Sequence, residues 1–199
     1  MLYADLLTYI PLKEKEASDR VLSLYIMLGY RAIGIVGIDR VSNIGGLSII
    51  PRVVVSDIDL FRPSRKVLVA FKPRSKEHAR RAGKAKGVST ILFDRDNIDI
   101  CDDEQIEVMR RSSTSLEVVI SPLLDSNSMP RFLNRMEKCI KRAIREGVDV
   151  IIASGAREVE EIWAPGSIRS LCGLISIDHW NIIYSWVEVI RRWNPGLKL

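Results

Sequence analysis

Histidine and glutamine are almost missing from this chain, with two His and one Gln (Gln105) in 199 residues against 30 Lys and Arg. Hydrolytic metal chemistry needs several imidazole and carboxylate ligands converging. His78 and His179 stand alone, outside any His-x-His or His-Glu-x-x-His spacing, which excludes a His-rich centre. The same scarcity leaves the cluster Ser112, Ser113 and Ser115 without a paired base for a nucleophilic triad. Cysteine is sparse too: Cys101, Cys139 and Cys172 show neither a disulfide framework nor Cys-x-x-Cys spacing, so all three are expected to be buried free thiols. Apolar runs such as Val150 to Ala153 are strand-sized, far below the ~18 residues of a membrane span. The opening Met1-Leu2-Tyr3-Ala4-Asp5 has no basic region followed by an apolar one, as a secretory signal would. A cytoplasmic chain with no membrane partner is therefore expected. The charged, amide-poor composition resembles that of thermophile proteins. No repeat, low-complexity tract or Ser/Gly linker divides the sequence, so 1–199 is expected to be a single domain.

What is present is a regular alternation of short β-branched runs with amphipathic segments. Strands are expected near Tyr3–Leu7, Ala32–Val36, Arg52–Ile58, Val67–Phe71, Thr90–Phe93, Leu116–Ile120 and Val148–Ala153. Helices are expected near Lys13–Leu28, Ser75–Lys84, Asp103–Arg111, Pro130–Glu146, Ser167–Leu174 and His179–Trp193. Continuously apolar strands such as Val67-Leu68-Val69-Ala70 are those of a parallel sheet covered on both faces. Seven strands in β-then-α order fit an α/β fold, a small or incomplete TIM-like barrel of about seven parallel strands with surrounding helices. An open doubly wound sheet is the alternative.

Net charge is only +5, but it is segregated. Between Lys72 and Lys86 stand seven Lys or Arg against Glu77, and between Asp94 and Glu107 stand seven carboxylates against Arg95. Such blocks create local fields. Phosphate neutralisation by clustered cations gives affinity without sequence information. Arg74, Lys76, Arg80, Arg81, Lys84 and Lys86 are accordingly candidate RNA contacts. Aromatics are absent from this segment apart from Phe71 and His78, so recognition of a structured backbone is favoured over base stacking. In the Pro130–Glu146 helix, Arg131, Arg135, Lys138, Arg142 and Arg145 recur every three or four residues as one stripe. That stripe is either a solvated outer face or a second phosphate-contacting ridge. In the last helix apolar residues cover much of the surface, and it carries Trp180, Trp186 and Trp193, three of the four tryptophans. Core packing is the default there, a docked protein partner the alternative.

Other constellations are weaker. Asp5, Asp57 and Asp59 near strand ends leave an all-carboxylate magnesium site formally open, although salt bridging or capping explains them equally simply. The acidic run lacks the grammar of a calcium loop, and Asp102, Asp103 and Glu104 suit a helix N-terminus. Gly45-Gly46 reads as a turn. Ser154-Gly155-Ala156 follows a strong strand and precedes Arg157, a placement at which barrels hold phosphate. Arg157 thus joins the candidate contacts, although a tight turn needs glycine in any case.

The block Ile151-Ile152-Ala153-Ser154-Gly155-Ala156, the downstream Glu161-Ile162-Trp163-Ala164-Pro165 and the helix Ser167–Leu174 resemble the C-terminal signature of ribonuclease P protein component 3. That is the archaeal counterpart of the thirty-kilodalton eukaryotic ribonuclease P subunit. Tyr3-Ala4-Asp5-Leu6-Leu7 resembles the first strand of that family. Ala153 and Ala164 depart from it, where serine is frequent. The resemblance implies a TIM-like barrel of the PHP-like kind acting as a non-catalytic subunit. It implies binding and folding of the catalytic ribonuclease P RNA, action on precursor tRNA, pairing with a second small protein subunit, and further protein subunits. No cofactor bound by this chain is expected, the magnesium belonging to the RNA. A metal-dependent phosphoesterase on the same barrel is the alternative.

Overall fold

The computed structural model describes residues 3–11, 15–59, 66–125 and 129–197, with the backbone alone at 15–17. Seven parallel strands lie in the order β1 (Tyr3–Thr8), β2 (Tyr30–Val36), β4 (Leu47–Val55), β5 (Leu68–Phe71), β6 (Thr90–Phe93), β7 (Ser115–Val119) and β8 (Val150–Ala153). Strands β5 to β8 are buried along their whole length, as two-sided coverage demands. The expected small TIM-like barrel is thus the fold, with every predicted strand present.

One element went unforeseen. β3 (Ser42–Ile44) pairs antiparallel with the start of β4 through a turn at Gly45-Gly46, and both glycines have positive φ. β4 consequently begins five residues before the expected Arg52. Pro51, which ordinarily marks a strand edge, instead lies within it opposite Ile35.

Helices α1 (Lys15–Met27), α2 (Lys76–Gly83), α3 (Asp103–Ser112), α4 (Met129–Arg145), α5 (Pro165–Leu174) and α6 (His179–Trp193) follow the strands. Their starts obey capping chemistry. Ser75 accepts from the N–H of His78, Asp102 from Gln105 and Asp178 from Trp180, while Pro165 opens α5. Among the described residues no helix is long and apolar enough to cross a membrane.

Closure between β1 and β8 rests on a short joint rather than a ladder. Gly155 N–H donates to Leu7 O at 3.0 Å and Tyr9 N–H to Ala156 O at 2.7 Å. A single parallel bridge joins Thr8 to Ala156. Beneath it Asp5, 1% exposed, accepts from Ser154 N–H at 2.9 Å, Ser154 Oγ–H at 2.5 Å and the Tyr25 hydroxyl at 3.0 Å. Burial pushes the Asp5 carboxyl above its ordinary 3.8, and the donors from Ser154 and Tyr25 only partly offset this. Two glycines make the narrow barrel possible. A Cβ at Gly34 would lie 2.1 Å from Leu6 O, and one at Gly155 (φ +67) would lie 2.3 Å from Val119 Cγ1.

The cysteines correct an expectation. Cys101, just before α3, and Cys139 in α4 form a disulfide with Cα atoms 5.9 Å apart. Only the packing of α4 beside the start of α3 brings them together, so a separation of 38 residues carried no sequence signal. Cys172 is free and buried as expected, its thiol pushed up to about 11 by burial and then by Asp178.

Two tests follow from closure and staple. Below pH ~3.8 both folded and unfolded Asp5 are protonated. Above that, the unfolded carboxyl ionises first, so the buried one costs stability as pH rises towards its folded value. Asp5→Asn removes this titration, and its stability in pH-dependent thermal melts is expected to fall less than wild type across mildly acidic pH; parallel curves would refute the assignment. Cys139→Ser is expected to lose about 2–5 kcal/mol in denaturant unfolding. Reductant should weaken the wild type towards the variant and leave the variant unmoved; a wild type insensitive to reductant would contradict the link.

Candidate nucleic-acid interface

The basic segment and the acidic run, far apart in charge, are adjacent in space. α2 packs on α3, bringing Lys76 within 2.9 Å of Asp102 and Arg80 within 3.1 Å of Asp102 and 2.6 Å of Glu104. Arg81 pairs with Asp59. Lys72 contacts Asp94 at 2.5 Å and Asp96 at 3.3 Å. Although partial burial alone would raise the Asp102 carboxyl, Lys76 and the Gln105 N–H, with Arg80, hold it below the ordinary range. Exposed pairs of this kind contribute only about 0–1 kcal/mol each; their larger effect is to cancel the field expected of the isolated blocks. Arg74, Lys84 and Lys86 are exposed and have no carboxylate partner among the described residues.

The α4 stripe is divided in the same way. Arg135 pairs with Asp99. Arg142 pairs with Asp103 at 2.5 Å and donates to Cys101 O at 3.0 Å. Both reach down to the segment held by the disulfide. Arg145 contacts Glu146 at 3.0 Å. Arg131 and Lys138 remain exposed and unpaired among the described residues.

Ser154-Gly155-Ala156 does not cradle an anion. Gly155 N–H goes to Leu7 O, Ala156 N–H to Ser154 Oγ and Arg157 N–H to Glu161 Oε2, so these donors are spent inside the joint. The Arg157 guanidinium is exposed, 5.9 Å from the centre of the Tyr9 ring.

The C-terminal ends of the strands open onto a cleft of about 300 Å³, the place where barrels of this kind hold their chemistry. Its wall carries Lys72, Arg95 and Arg157 against Asp94, Asp96, Asp125 and Glu161. Arg95 is tied to Asp125 at 2.7 Å, as Lys72 is to Asp94, so acidic groups outnumber basic ones and two of the three cations are engaged. That balance disfavours a phosphate held between Lys72 and Arg95 and leaves Arg157 as the wall cation without a carboxylate partner among the described residues. Inside the barrel Arg52 of β4 pairs with Glu117 of β7, both fully buried, and Thr90 of β6 donates to the same carboxylate. Arg52 Nε and Nη1 and Glu117 Oε1 have no partner among the described residues. Sequence reasoning missed this pair, whose signal was a lone charge within each of two apolar strands.

Asp5, Asp57 and Asp59 do not converge. Asp5 is consumed in the closure joint. Asp57 accepts from Asp59 N–H at 2.9 Å in an exposed turn, and Asp59 faces Arg81. Among the described residues no group of three or more His, Cys, Asp or Glu is placed to hold a metal ion. His78 sits half-buried in α2, and His179 stacks against Trp180 with ring centres 4.9 Å apart. Of the α6 tryptophans, Trp186 is core and donates to Ile152 O at 3.3 Å, Trp193 is half-buried, and Trp180 is 41% exposed. The helix is therefore mostly core, with an exposed start.

No family model matches the chain. Among curated proteins it is 31% identical over 126 residues to ribonuclease P protein component 3 of Aeropyrum pernix. The match covers 62% of this chain and about three-fifths (59%) of that relative. In fold it matches a chain from the cryo-EM structure of an archaeal ribonuclease P with mature tRNA. There the TM-score is 0.75 at 13% identity, over 99% of this chain and 97% of that one. A crystal structure of an uncharacterized protein aligns with TM-score 0.60 at 10% identity, over 94% of this chain and 73% of the other. At such identities the structural matches speak for the fold, and the sequence match for kinship. The chain is thus similar in sequence, over 126 residues, to ribonuclease P protein component 3 and shares its barrel end to end with a chain from the structure of an archaeal ribonuclease P.

Proposed function

We propose that the chain is a protein subunit of ribonuclease P, binding and helping to fold the catalytic RNA that removes the 5′ leader from precursor tRNA. The sequence match to component 3 carries this reading, and the end-to-end barrel match supports it. The site geometry agrees with it: the carboxylates of the barrel are tied up in closure and ion pairs, while cations lie on the outside. Arg74, Lys84, Lys86, Arg131, Lys138 and Arg157, which lack carboxylate partners among the described residues, are the phosphate contacts of this proposal. Lys76, Arg80, Arg81, Arg135 and Arg142 reach RNA only by exchanging a carboxylate for a phosphate.

In this reading the partners are ribonuclease P RNA, precursor tRNA, a second small protein subunit and further subunits, in the cytoplasm. Magnesium serves the RNA, and this chain holds no cofactor. The test is reconstituted precursor-tRNA cleavage at fixed magnesium with and without the chain. Omission is expected to slow leader removal severalfold, and the chain alone to release no leader. Undiminished cleavage without it, or metal-dependent phosphoester hydrolysis by the chain alone, would overturn the proposal.

A further inference from the structure

The surviving end of the basic segment borders a cleft on the opposite face from the barrel mouth. Gly87, Val88 and Ser89 run directly into β6, and Ser113 precedes β7, so both stretches lie at the N-terminal ends of the strands. α6 runs antiparallel to the barrel and delivers Arg192, Trp193 and, beyond its end, Pro195 to the same place. Together these residues line a cleft of about 460 Å³, within the range of small-ligand sites.

The features of this cleft differ from those of two others among the described residues. The barrel mouth carries more carboxylates than cations. A second groove, between α4 and α5, is lined by ten residues without a charge, among them Met129, Leu133 and Leu174. Here the only charged wall residue among the described residues is Arg192, locked by Asp149 at 2.7 Å, Ser115 Oγ at 2.7 Å and Ser113 O at 3.1 Å. Lys84 and Lys86 stand one to three residues before Gly87, exposed and without a carboxylate partner among the described residues. Trp193 gives an aromatic surface; its Nε1–H is buried and has no hydrogen-bond partner among the described residues. Ser89 and Ser113 add polar groups to the wall.

Aromatic faces accept unpaired bases of any sequence, and lysines beside them neutralise the flanking phosphates. We infer that this cleft takes an unpaired nucleotide of RNA, its base against Trp193 and between Ser89 and Ser113, with the adjoining phosphates on Lys84 and Lys86. The basic segment, which has no stacking aromatic of its own, acquires one from α6 more than a hundred residues later. The inference deepens the RNA-binding reading proposed above and rests on it for biological context.

The test uses the full chain with an eight-nucleotide oligoadenylate, followed by fluorescence anisotropy over a salt series. Trp193→Phe keeps a ring and removes about a third of the stacking surface; about a fivefold weaker affinity is expected, with an unchanged salt slope. Lys84→Ala with Lys86→Ala is expected to flatten the slope of log K against log salt by about 1.4, at ~0.7 per single-strand phosphate. Arg20→Ala with Arg169→Ala, exposed cations of α1 and α5 that do not line the cleft, is expected to leave oligoadenylate binding unaltered. Ultraviolet crosslinking of oligoadenylate to the wild type, mapped by mass spectrometry, is expected at 87–89 or Trp193, and decides the matter if Trp193→Phe fails to fold. Absent binding, unchanged affinity in both cleft variants, or crosslinks elsewhere would overturn the site. Precursor-tRNA cleavage helped by all variants alike would then still uphold the subunit function. Conversely, Trp193-dependent binding with no effect of the chain on cleavage would uphold the cleft and overturn that function.

Discussion

The fold depends on how a seven-stranded parallel sheet meets itself. β1 and β8 share no full ladder, and a joint of a few residues does the work of one. The Asp5 carboxylate, buried where an ionised group is expensive, is satisfied by the backbone and hydroxyl of Ser154 and by Tyr25 of α1. Gly155 turns the chain over Val119 where no Cβ fits, and Ala156 hands its carbonyl to Thr8 and Tyr9. Removing any of these would free polar groups in a place that water does not reach. The motif that looked like an anion cradle is in this sense the clasp of the barrel, which explains a Ser-Gly-Ala signature without invoking a ligand.

Closure sets what the two ends of the barrel are able to do. At the C-terminal end, the ion pairs of Lys72 and Arg95 fill a mouth whose interior holds the buried Arg52–Glu117 pair. Breaking a buried pair by losing one member ordinarily costs about 3–5 kcal/mol, so this polar core is committed to structure. The N-terminal end, in contrast, has Lys84 and Lys86, without carboxylate partners among the described residues, and an aromatic ring. In the proposal above, a face that is normally structural in such barrels is the surface offered to a polyanion.

The disulfide belongs to the same economy of contacts. It fixes α4 against the start of α3 where Arg135 and Arg142 also bind Asp99 and Asp103. A stripe legible as one basic ridge is divided by that seam into cations that hold the protein together and cations, Arg131 and Lys138, that face outward.

Period and composition in the sequence by themselves determined an α/β chain of parallel strands covered by helices. Closure into a barrel rather than an open doubly wound sheet was decided by the tertiary joint between β1 and β8. Continuous β-branched runs cannot rest against water on either face, so strand positions, helix caps and the parallel order followed, down to Thr90–Phe93 and His179–Trp193. The near-absence of histidine excluded imidazole-metal chemistry in the same local way. Only the tertiary structure decided the electrostatics. Whether Arg80 meets Asp102 or an RNA phosphate depends on which helix packs beside it, and a Coulomb interaction depends on distance in space, which charge counts along a chain do not contain. The same holds for Cys101 with Cys139, for Asp5 apart from Asp57 and Asp59, and for Trp193 beside Ser89. Each pairing was made by the return of a distant segment to the barrel, and none left a periodic trace.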